Sequence, residues 1–224
     1  MSVSVKSAAI GPSIVTDGLV LYLDAANPLS YPGSGTVWYD LSNNDINGTM
    51  SNSTMGTFED GNMRLNNTTD SLSFGHNILL EPANLTVSAW INLLDRGDRH
   101  ILLTKWLGFS FEISSSGYPY FRLNGVSPGD LTSSEALTWG SWYHITGVFD
   151  DVANHGDIYI NGINRGSATR TGSISYNQGS FNIPYVNNPV YGYGKIAVVQ
   201  IYNKAITESE NLQNYNALKN RFGL

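Results

Sequence analysis

The feature that most constrains this chain is a series of short apolar runs separated by turn residues. Every second residue from Leu85 to Ile91 is apolar and falls on the same face of an extended strand. Residues 157–160 form another such run, and Asn161-Gly162 follows it directly. Asn-Gly tolerates the positive φ of a type I′ hairpin turn. Short strands punctuated in this way predict an all-β domain.

Two stretches near the C-terminus depart from simple alternation. Residues 195–202 form an apolar strand whose run at 196–199 is so continuous that both faces of this strand are expected to be covered. Thr207 and Glu210 then fit a capping box, which predicts the start of a helix. Its apolar residues recur at helical spacing, with Gly223 placed to end it: Leu212, Tyr215, Leu218 and Phe222.

Size and charge exclude several classes of protein. The 224 residues suit a single all-β domain, which at this length buries about 70% of its unfolded surface without disulfides. Cysteine is absent, and the net charge is -6 with no cluster of Lys and Arg, so a nucleic-acid partner is not expected. There is no apolar run long enough for a membrane span, and residues 1–18 do not resemble a signal peptide, so no membrane partner is expected.

Five segments occur in an order that is specific for one fold. They are SAWI at 88–91, ILLTK at 101–105, WGSWYHITGVFD at 139–150, DIYING at 157–162 and GKIAVVQIYNKAITESE at 194–210. Together they resemble the laminin-G-like, concanavalin A-like jelly-roll family over about residues 18–222. The resemblance implies an all-β, two-sheet antiparallel jelly-roll sandwich with a short C-terminal α-helix.

Segments near the two ends of the chain resemble one particular version of this domain. The opening IVTDGLVLYLDAANP at 14–28, then SYPGSGT and WYDLS, and the closing LKNRFGL at 218–224 resemble the version of this domain in virion structural proteins of tailed bacteriophages. In that family the first strand lies beside the last ones, and a long polar loop carries the chain over the sheet edge. We therefore expect an N-terminal arm over 1–17 and a jelly-roll domain over 18–224.

The carboxylates and histidines do not form a catalytic pattern. Related glycosidases carry paired carboxylates on one strand, whereas Glu112 is a lone strand acid that is expected to face solvent. The histidines lack metal-ligand spacing, and His144 shares a face with Trp142, so we expect it to be packed. The chain is predicted not to be an enzyme. The histidines are His76, His100, His144 and His155.

No cofactor is expected, and calcium is the alternative that the family raises. Many relatives carry an acid just after the Gly-x-Ile of the final strand, but here that position is Ala197. Loop aspartates remain as oxygen ligands, although Asp is also a routine turn residue. These are Asp24, Asp40, Asp60 and Asp70.

Exposed aromatic residues and the arm supply the candidate binding residues. Sugar rings stack on aromatic side chains, and the candidates are Tyr185, Tyr191, Tyr193, Tyr118 and Tyr120. The alternative for these tyrosines is packing within loops. The tryptophans are expected in the core or on a sheet face instead: Trp90, Trp106, Trp139 and Trp142. The arm either forms a disordered tail or docks on a partner through apolar residues: Val3, Val5, Ile10 and Ile14.

The resemblance favours a non-enzymatic phage virion protein that decorates or cements the capsid exterior. Its expected partners are the major capsid protein or other virion proteins and further copies of the chain, in a particle assembled in the host bacterial cytoplasm. The alternative is a lectin-like, carbohydrate-binding module of a tail or fibre that recognises a surface glycan of the host.

Overall fold

The computed structural model describes residues 12–50, 58–65, 71–184 and 193–224, with the backbone alone at 58–59. Its strands are β1 (Leu19–Asp24), β2 (Val37–Trp38), β3 (Gly48–Met50), β4 (Phe58–Glu59), β5 (Asn62–Leu65), β6 (Leu72–Ser73), β7 (Leu85–Leu93), β8 (His100–Lys105), β9 (Phe109–Ile113), β10 (Pro119–Leu123), β11 (Asp130–Thr132), β12 (Trp142–Asp150), β13 (His155–Ile160), β14 (Ile163–Thr169), β15 (Phe181–Ile183) and β16 (Gly194–Tyr202). The helix α1 is Glu208–Leu218, and two 3-10 helices are Ile78–Leu80 and Lys219–Phe222.

These strands form two antiparallel sheets that pack face to face. The first sheet has the order β14-β13-β12-β7-β16-β5-β4, with β1 also paired to β16. The second has the order β11-β10-β9-β8-β15-β6-β3-β2. The predicted two-sheet jelly-roll sandwich with a C-terminal helix is confirmed.

The core between the sheets follows the predicted alternation. Leu85, Val87, Ala89 and Ile91 of β7 all belong to the main hydrophobic cluster, as their period of two predicts. The Asn161-Gly162 turn is also present, with φ values of 51° and 80° at its two residues. Local patterning therefore fixes both the inward face of β7 and the β13–β14 hairpin.

The strand β16 is covered on both faces, as its continuous apolar sequence predicts. Ile196 and Val199 face the core, whereas Ala197 and Val198 lie in a second cluster with Trp90, beneath the C-terminal segment. The ring of Trp90 stacks on that of Phe222 at 4.1 Å between centroids, and on that of Tyr215 at 5.8 Å. The outer face of the first sheet around Trp90 is thus buried by the chain's own C-terminal segment.

The helix α1 begins with the predicted capping box, but its buried face differs from the prediction. Thr207 accepts from the Glu210 backbone N–H, and the Glu210 side chain accepts from the Thr207 backbone N–H. Leu212 is 44% exposed, while Asn211 and Asn214 are buried. The residues facing the sheet therefore recur as 211, 214–215, 218 and 222, and Leu212 lies about 100° off that stripe.

The long polar loop after β1 covers an open sheet edge. β1 pairs with β16, and on its other side Leu41 N–H donates to Tyr22 O at 2.8 Å while Ser42 Oγ donates to Val20 O at 2.7 Å. Asp40 organises this loop, because its carboxylate accepts from the backbone N–H groups of Tyr22, Ser42 and Ile46. Side-chain and loop hydrogen bonds thus satisfy groups that an unpaired strand would leave open.

Replacing Asp40 by alanine is expected to lower the free energy of unfolding by about 2–3 kcal/mol, since it leaves several partly buried N–H donors without an acceptor. Urea unfolding followed by tryptophan fluorescence measures this. Ser34→Ala, an exposed change in the same loop, is the matched control and should leave stability within about 0.5 kcal/mol of the wild type. Equal stability of the two variants would contradict the role of Asp40.

The segments 14–28 and 218–224, near the two ends of the chain, meet in space. Arg221 Nη1 donates to Asp24 Oδ1 at 2.6 Å, and Arg221 Nη2 donates to Gly61 O at 2.8 Å. Burial, with the nearby Asp24 carboxylate, raises the pKa of Tyr22 to about 12. The first strand and the C-terminal residues are therefore held together by a partly buried ion pair.

The described part of the proposed arm lies against the domain. Val15 is buried, its N–H donates to Asn214 Oδ1 at 2.8 Å, and its carbonyl accepts from Tyr202 Oη at 3.1 Å. Ile14 is half-buried. Val3, Val5 and Ile10 lie outside the described residues, so the arm over 1–17 stays a prediction. None of the described helices is both long and apolar enough to cross a membrane.

Candidate functional site

A pocket of about 430 Å³ opens on the outer face of the second sheet, over β8, β9 and β10. Two small residues, Thr104 of β8 and Ser110 of β9, form its floor as a cross-strand pair. Ser110 also pairs with Arg122 of β10. Glu112 lies two residues further along β9 on the same face. Two short side chains between longer neighbours leave the depression.

The buried carboxylate of Glu112 is the centre of the polar cluster in this pocket. Glu112 is 2% exposed, so the expectation that it faces solvent is wrong. Its Oε1 accepts from Ser110 Oγ at 2.6 Å, and its Oε2 accepts from Tyr120 Oη. Arg99 Nη1 is 3.4 Å from Oε2, and Arg122 Nη1 is 3.5 Å from Oε1. Four donors thus compensate the desolvation of this charge.

The side chain of Arg122 links Glu112 to Asp130 of β11. Its Nε donates to Asp130 Oδ1 at 2.7 Å and its Nη2 to Asp130 Oδ2 at 2.9 Å, a bidentate pair. The hydrogen bond from Arg122 lowers the pKa of Asp130, and the same contact raises the pKa of Arg122. Burial, together with the bond to Glu112, raises the pKa of Tyr120 to about 12. At neutral pH the tyrosine is therefore protonated, while Asp130 is ionised.

The wall at one end of the pocket is an exposed aromatic turn. Trp106 is 46% exposed, which differs from its expected place in the core or on a sheet face. Leu107 adopts a φ of 54°, and Asn124 holds the turn by donating from Nδ2 to Leu107 O at 3.1 Å. A Cβ on Gly108 would lie 2.6 Å from the Tyr176 ring, so the absence of a side chain at this position lets the turn pack closely against Tyr176.

The structure brings together only part of the predicted set of tyrosines. Tyr120 contacts the polar cluster through Glu112, and Tyr118 is 39% exposed on the neighbouring β9–β10 turn. Tyr193 lies instead beside the loop that follows β7, where its N–H donates to His100 Nδ1 and Arg96 lies 5.1 Å above its ring. Tyr185 and Tyr191 fall outside the described residues.

Sequence reasoning missed Arg99, Arg122 and Asp130 and misplaced Glu112, although one signal was present. Polar or charged residues alternate with apolar ones on three consecutive strands: Ser110 and Glu112, Tyr120 and Arg122, Asp130 and Thr132. Period-two alternation places these side chains on a single sheet face. Charges of opposite sign on neighbouring strands would have indicated a paired cluster.

The predicted packing of His144 is confirmed. Its Nε2 is 2.7 Å from Ser88 Oγ, and its ring centroid is 5.1 Å from that of Trp90. Burial lowers the pKa of His144 to about 3. The neutral imidazole therefore belongs to the interface between the first sheet and α1.

Two of the aspartates considered for calcium have other roles. Asp24 pairs with Arg221, and Asp40 accepts from backbone N–H groups, whereas Asp60 is exposed in the β4–β5 turn with a φ of 53°. Asp70 lies outside the described residues. Within the described ranges there is no group of three or more His, Asp or Glu side chains that could hold a metal ion.

Solved structures similar to this chain share its fold at low sequence identity. Trypanosoma rangeli sialidase in complex with sialic acid matches 90% of this chain and 33% of its own, with a TM-score of 0.68 and 15% identity. The binding domain of Paraclostridial Mosquitocidal Protein 1 matches 92% of this chain and 53% of its own, with a TM-score of 0.67 and 19% identity. The botulinum neurotoxin serotype D binding domain matches 90% and 52%, with a TM-score of 0.64 and 17% identity.

The chain spans about a third to a half of these solved chains, and identities this low show the fold alone. A search of curated proteins found no match. A family model described as the concanavalin A-like lectin/glucanases superfamily matches residues 66–210, which is more than half of the sequence. The chain therefore belongs to the concanavalin A-like lectin/glucanases superfamily.

Proposed function

We propose that this chain is a non-enzymatic carbohydrate-binding domain, and that its ligand lies in the pocket over β8, β9 and β10. The observation that carries the proposal is an exposed tryptophan, Trp106, in the same pocket as a fixed polar cluster around Glu112. Aromatic faces suit the apolar side of a sugar ring, and charged or amide groups suit its hydroxyls. Lectins belong to the superfamily, and two of the similar structures are described as binding domains.

The charge state of the cluster supports binding rather than hydrolysis. A glycosidase needs one carboxyl group that is protonated and can act as a general acid. Arg122 holds Asp130 ionised, and four donors surround the Glu112 carboxylate in the folded protein. Both acids are thus committed to fixing the arginine and tyrosine side chains. We expect no measurable turnover of glycosides.

A glycan microarray tests the proposal and also locates the site. The wild-type protein should bind a restricted set of glycans, and Tyr193→Ala should bind the same set because Tyr193 is not among the residues that line the pocket. If the wild-type protein binds no glycan on the array, the proposed carbohydrate-binding function is contradicted. If Tyr193→Ala loses glycan binding while Trp106→Ala keeps it, the binding site lies instead in the loops around Tyr193.

A virion structural role, in which the domain decorates the capsid exterior, is the second candidate. The observation that favours it is the resemblance of residues 14–28 and 218–224 to phage virion proteins. Its partners would be the major capsid protein and further copies of this chain, and such a coat protein can also bind glycans. Quantitative mass spectrometry of purified particles tests it: a copy number that fits the capsid lattice supports decoration, a few copies indicate a tail position, and absence contradicts a virion role.

A further inference from the structure

The charged groups of the pocket differ in how much hydrogen-bonding capacity remains for a ligand. Both Glu112 oxygens already accept hydrogen bonds, and the carboxylate is buried. Arg122 directs Nε and Nη2 to Asp130 and Nη1 to Glu112, so three of its five N–H groups are engaged with two carboxylates. Glu112 cannot accept a further strong hydrogen bond without giving one up, and the charge of Arg122 is already offset by its two carboxylate partners.

Arg99 is the pocket cation with the most hydrogen-bonding capacity left, since Lys105 is fully buried and already contacts Glu81, Asn177 O and Gly179 O. Arg99 Nη1 lies 3.4 Å from Glu112 Oε2, and its guanidinium also donates to the Tyr120 hydroxyl. These two contacts leave three of its five N–H groups, and its side chain is 36% exposed at the pocket rim. A planar guanidinium with free N–H groups matches the two oxygens of a carboxylate, which it binds bidentately.

The groups around Glu112 reduce the repulsion between its carboxylate and an incoming anion. Arg122 offsets that charge from one side, and Ser110 and Tyr120 donate hydrogen bonds to its oxygens. The formal charges of the polar cluster, Arg99, Arg122, Glu112 and Asp130, sum to zero. Lys105, which also lines the pocket, is paired with Glu81. A carboxylate beside Arg99 can therefore accept hydrogen bonds from it without facing a net negative charge.

The distance from Arg99 to the aromatic wall sets the minimum length of the ligand. The Arg99 guanidinium lies beside Glu112 of β9, and the wall begins at Gly108, just before β9 and four residues earlier in the chain. At about 3.3 Å per residue this span is about 13 Å, which is longer than one sugar ring. A ligand touching both ends must be an oligosaccharide.

We propose that the pocket binds an acidic oligosaccharide, with the carboxylate of a uronic-acid unit on Arg99 and a neighbouring ring against Trp106. This inference rests on the proposed carbohydrate-binding function and specifies its ligand class. It assigns Arg99 as the residue that distinguishes acidic from neutral glycans.

The test compares each acidic ligand with its neutral counterpart. Trimers of galacturonic and mannuronic acid, and the same trimers after reduction of their carboxyl groups, are titrated calorimetrically into the full chain. We expect at least one acidic trimer to bind about tenfold more tightly than its reduced form. In Arg99→Gln that preference should fall to within about twofold, while binding of neutral glycans persists.

Arg165→Gln is the matched control, since Arg165 is 35% exposed and pairs with one carboxylate, Glu135, outside the pocket. It should keep the full preference for acidic trimers. Equal binding of acidic and reduced trimers, or an unchanged preference in Arg99→Gln, overturns the inference and leaves the proposed function standing. If the protein binds neither these trimers nor any glycan of the array, both the inference and the proposed function are contradicted.

Discussion

Replacing Trp106 by alanine is expected to weaken glycan binding about 30-fold while leaving the fold intact. A large aromatic side chain at the edge of a binding pocket is the type of residue whose truncation costs about 2 kcal/mol or more. Trp106 is 46% exposed, on a turn that Asn124 and Gly108 shape, so its removal creates little new cavity in the core. Calorimetric titration of the best glycan from the array, together with a thermal melt, measures both quantities.

Two further variants make the Trp106 result specific. Trp106→Phe keeps an aromatic face and should recover much of the affinity. Val152→Ala removes an apolar side chain that is 83% exposed on the β12–β13 turn, away from the pocket, and should bind as the wild type does. Wild-type affinity in Trp106→Ala would place the ligand on another surface and contradict the assigned pocket.

Much of the fold is predictable from sequence because its signals are local. Alternation in β7 fixes its inward face, and Asn161-Gly162 fixes a turn through the φ values that these residues tolerate. The apolar run of β16 indicates burial on both faces, and the capping box marks the start of α1. The buried polar face of α1 was not predictable in this way. Asn211 and Asn214 are both buried, and Asn214 bonds the Tyr202 hydroxyl and the Val15 N–H, contacts that only the tertiary arrangement shows.

The candidate site was less predictable, because its character depends on residues from different strands. Glu112 looks like a solvent-facing acid when β9 is read alone, and it is buried because Tyr120 and the two arginines cover it. Trp106 looks like a core residue by type, yet the positive φ of Leu107 turns the chain outward next to it. Tyr120 was selected as an aromatic sugar platform, whereas its hydroxyl anchors the carboxylate. Strand pairing, which sequence alone did not give here, decides the roles of Glu112 and Tyr120.

Acidification is expected to destabilise the protein by about 4 kcal/mol between pH 7 and pH 5. Burial lowers the pKa of His144 to about 3 and that of His100 to about 4, whereas an unfolded histidine titrates near 6.5. Between these values the unfolded state binds more protons than the folded state. Stability is therefore complete above about pH 6.5 and falls as the pH drops, by about 1.4 kcal/mol per unit for each histidine.

The surroundings of the two imidazoles explain why the folded state resists their protonation. His144 lies between the first sheet and α1, next to Trp90 and Ser88, where a positive charge would be desolvated. His100 is fully buried at the start of β8, its ring is 5.3 Å from that of Trp139, and its Nδ1 accepts from the Tyr193 N–H. Protonation of that nitrogen would remove the acceptor. Asp130 and Glu210, whose pKa values are lowered, act in the same direction only at more acidic pH.

Urea unfolding at half-unit steps from pH 7.5 to pH 5 measures this dependence. His144→Gln removes one of the two titrations, so the slope of unfolding free energy against pH should fall by about half, whatever the cost of the substitution at pH 7.5. His155→Gln, which removes an imidazole that is 46% exposed, should keep the wild-type slope. An unchanged slope in His144→Gln would mean that this imidazole does not remain neutral in the folded protein. The interface between α1 and the first sheet would then have to accommodate a charge, which its packing against Trp90 and Tyr215 argues against.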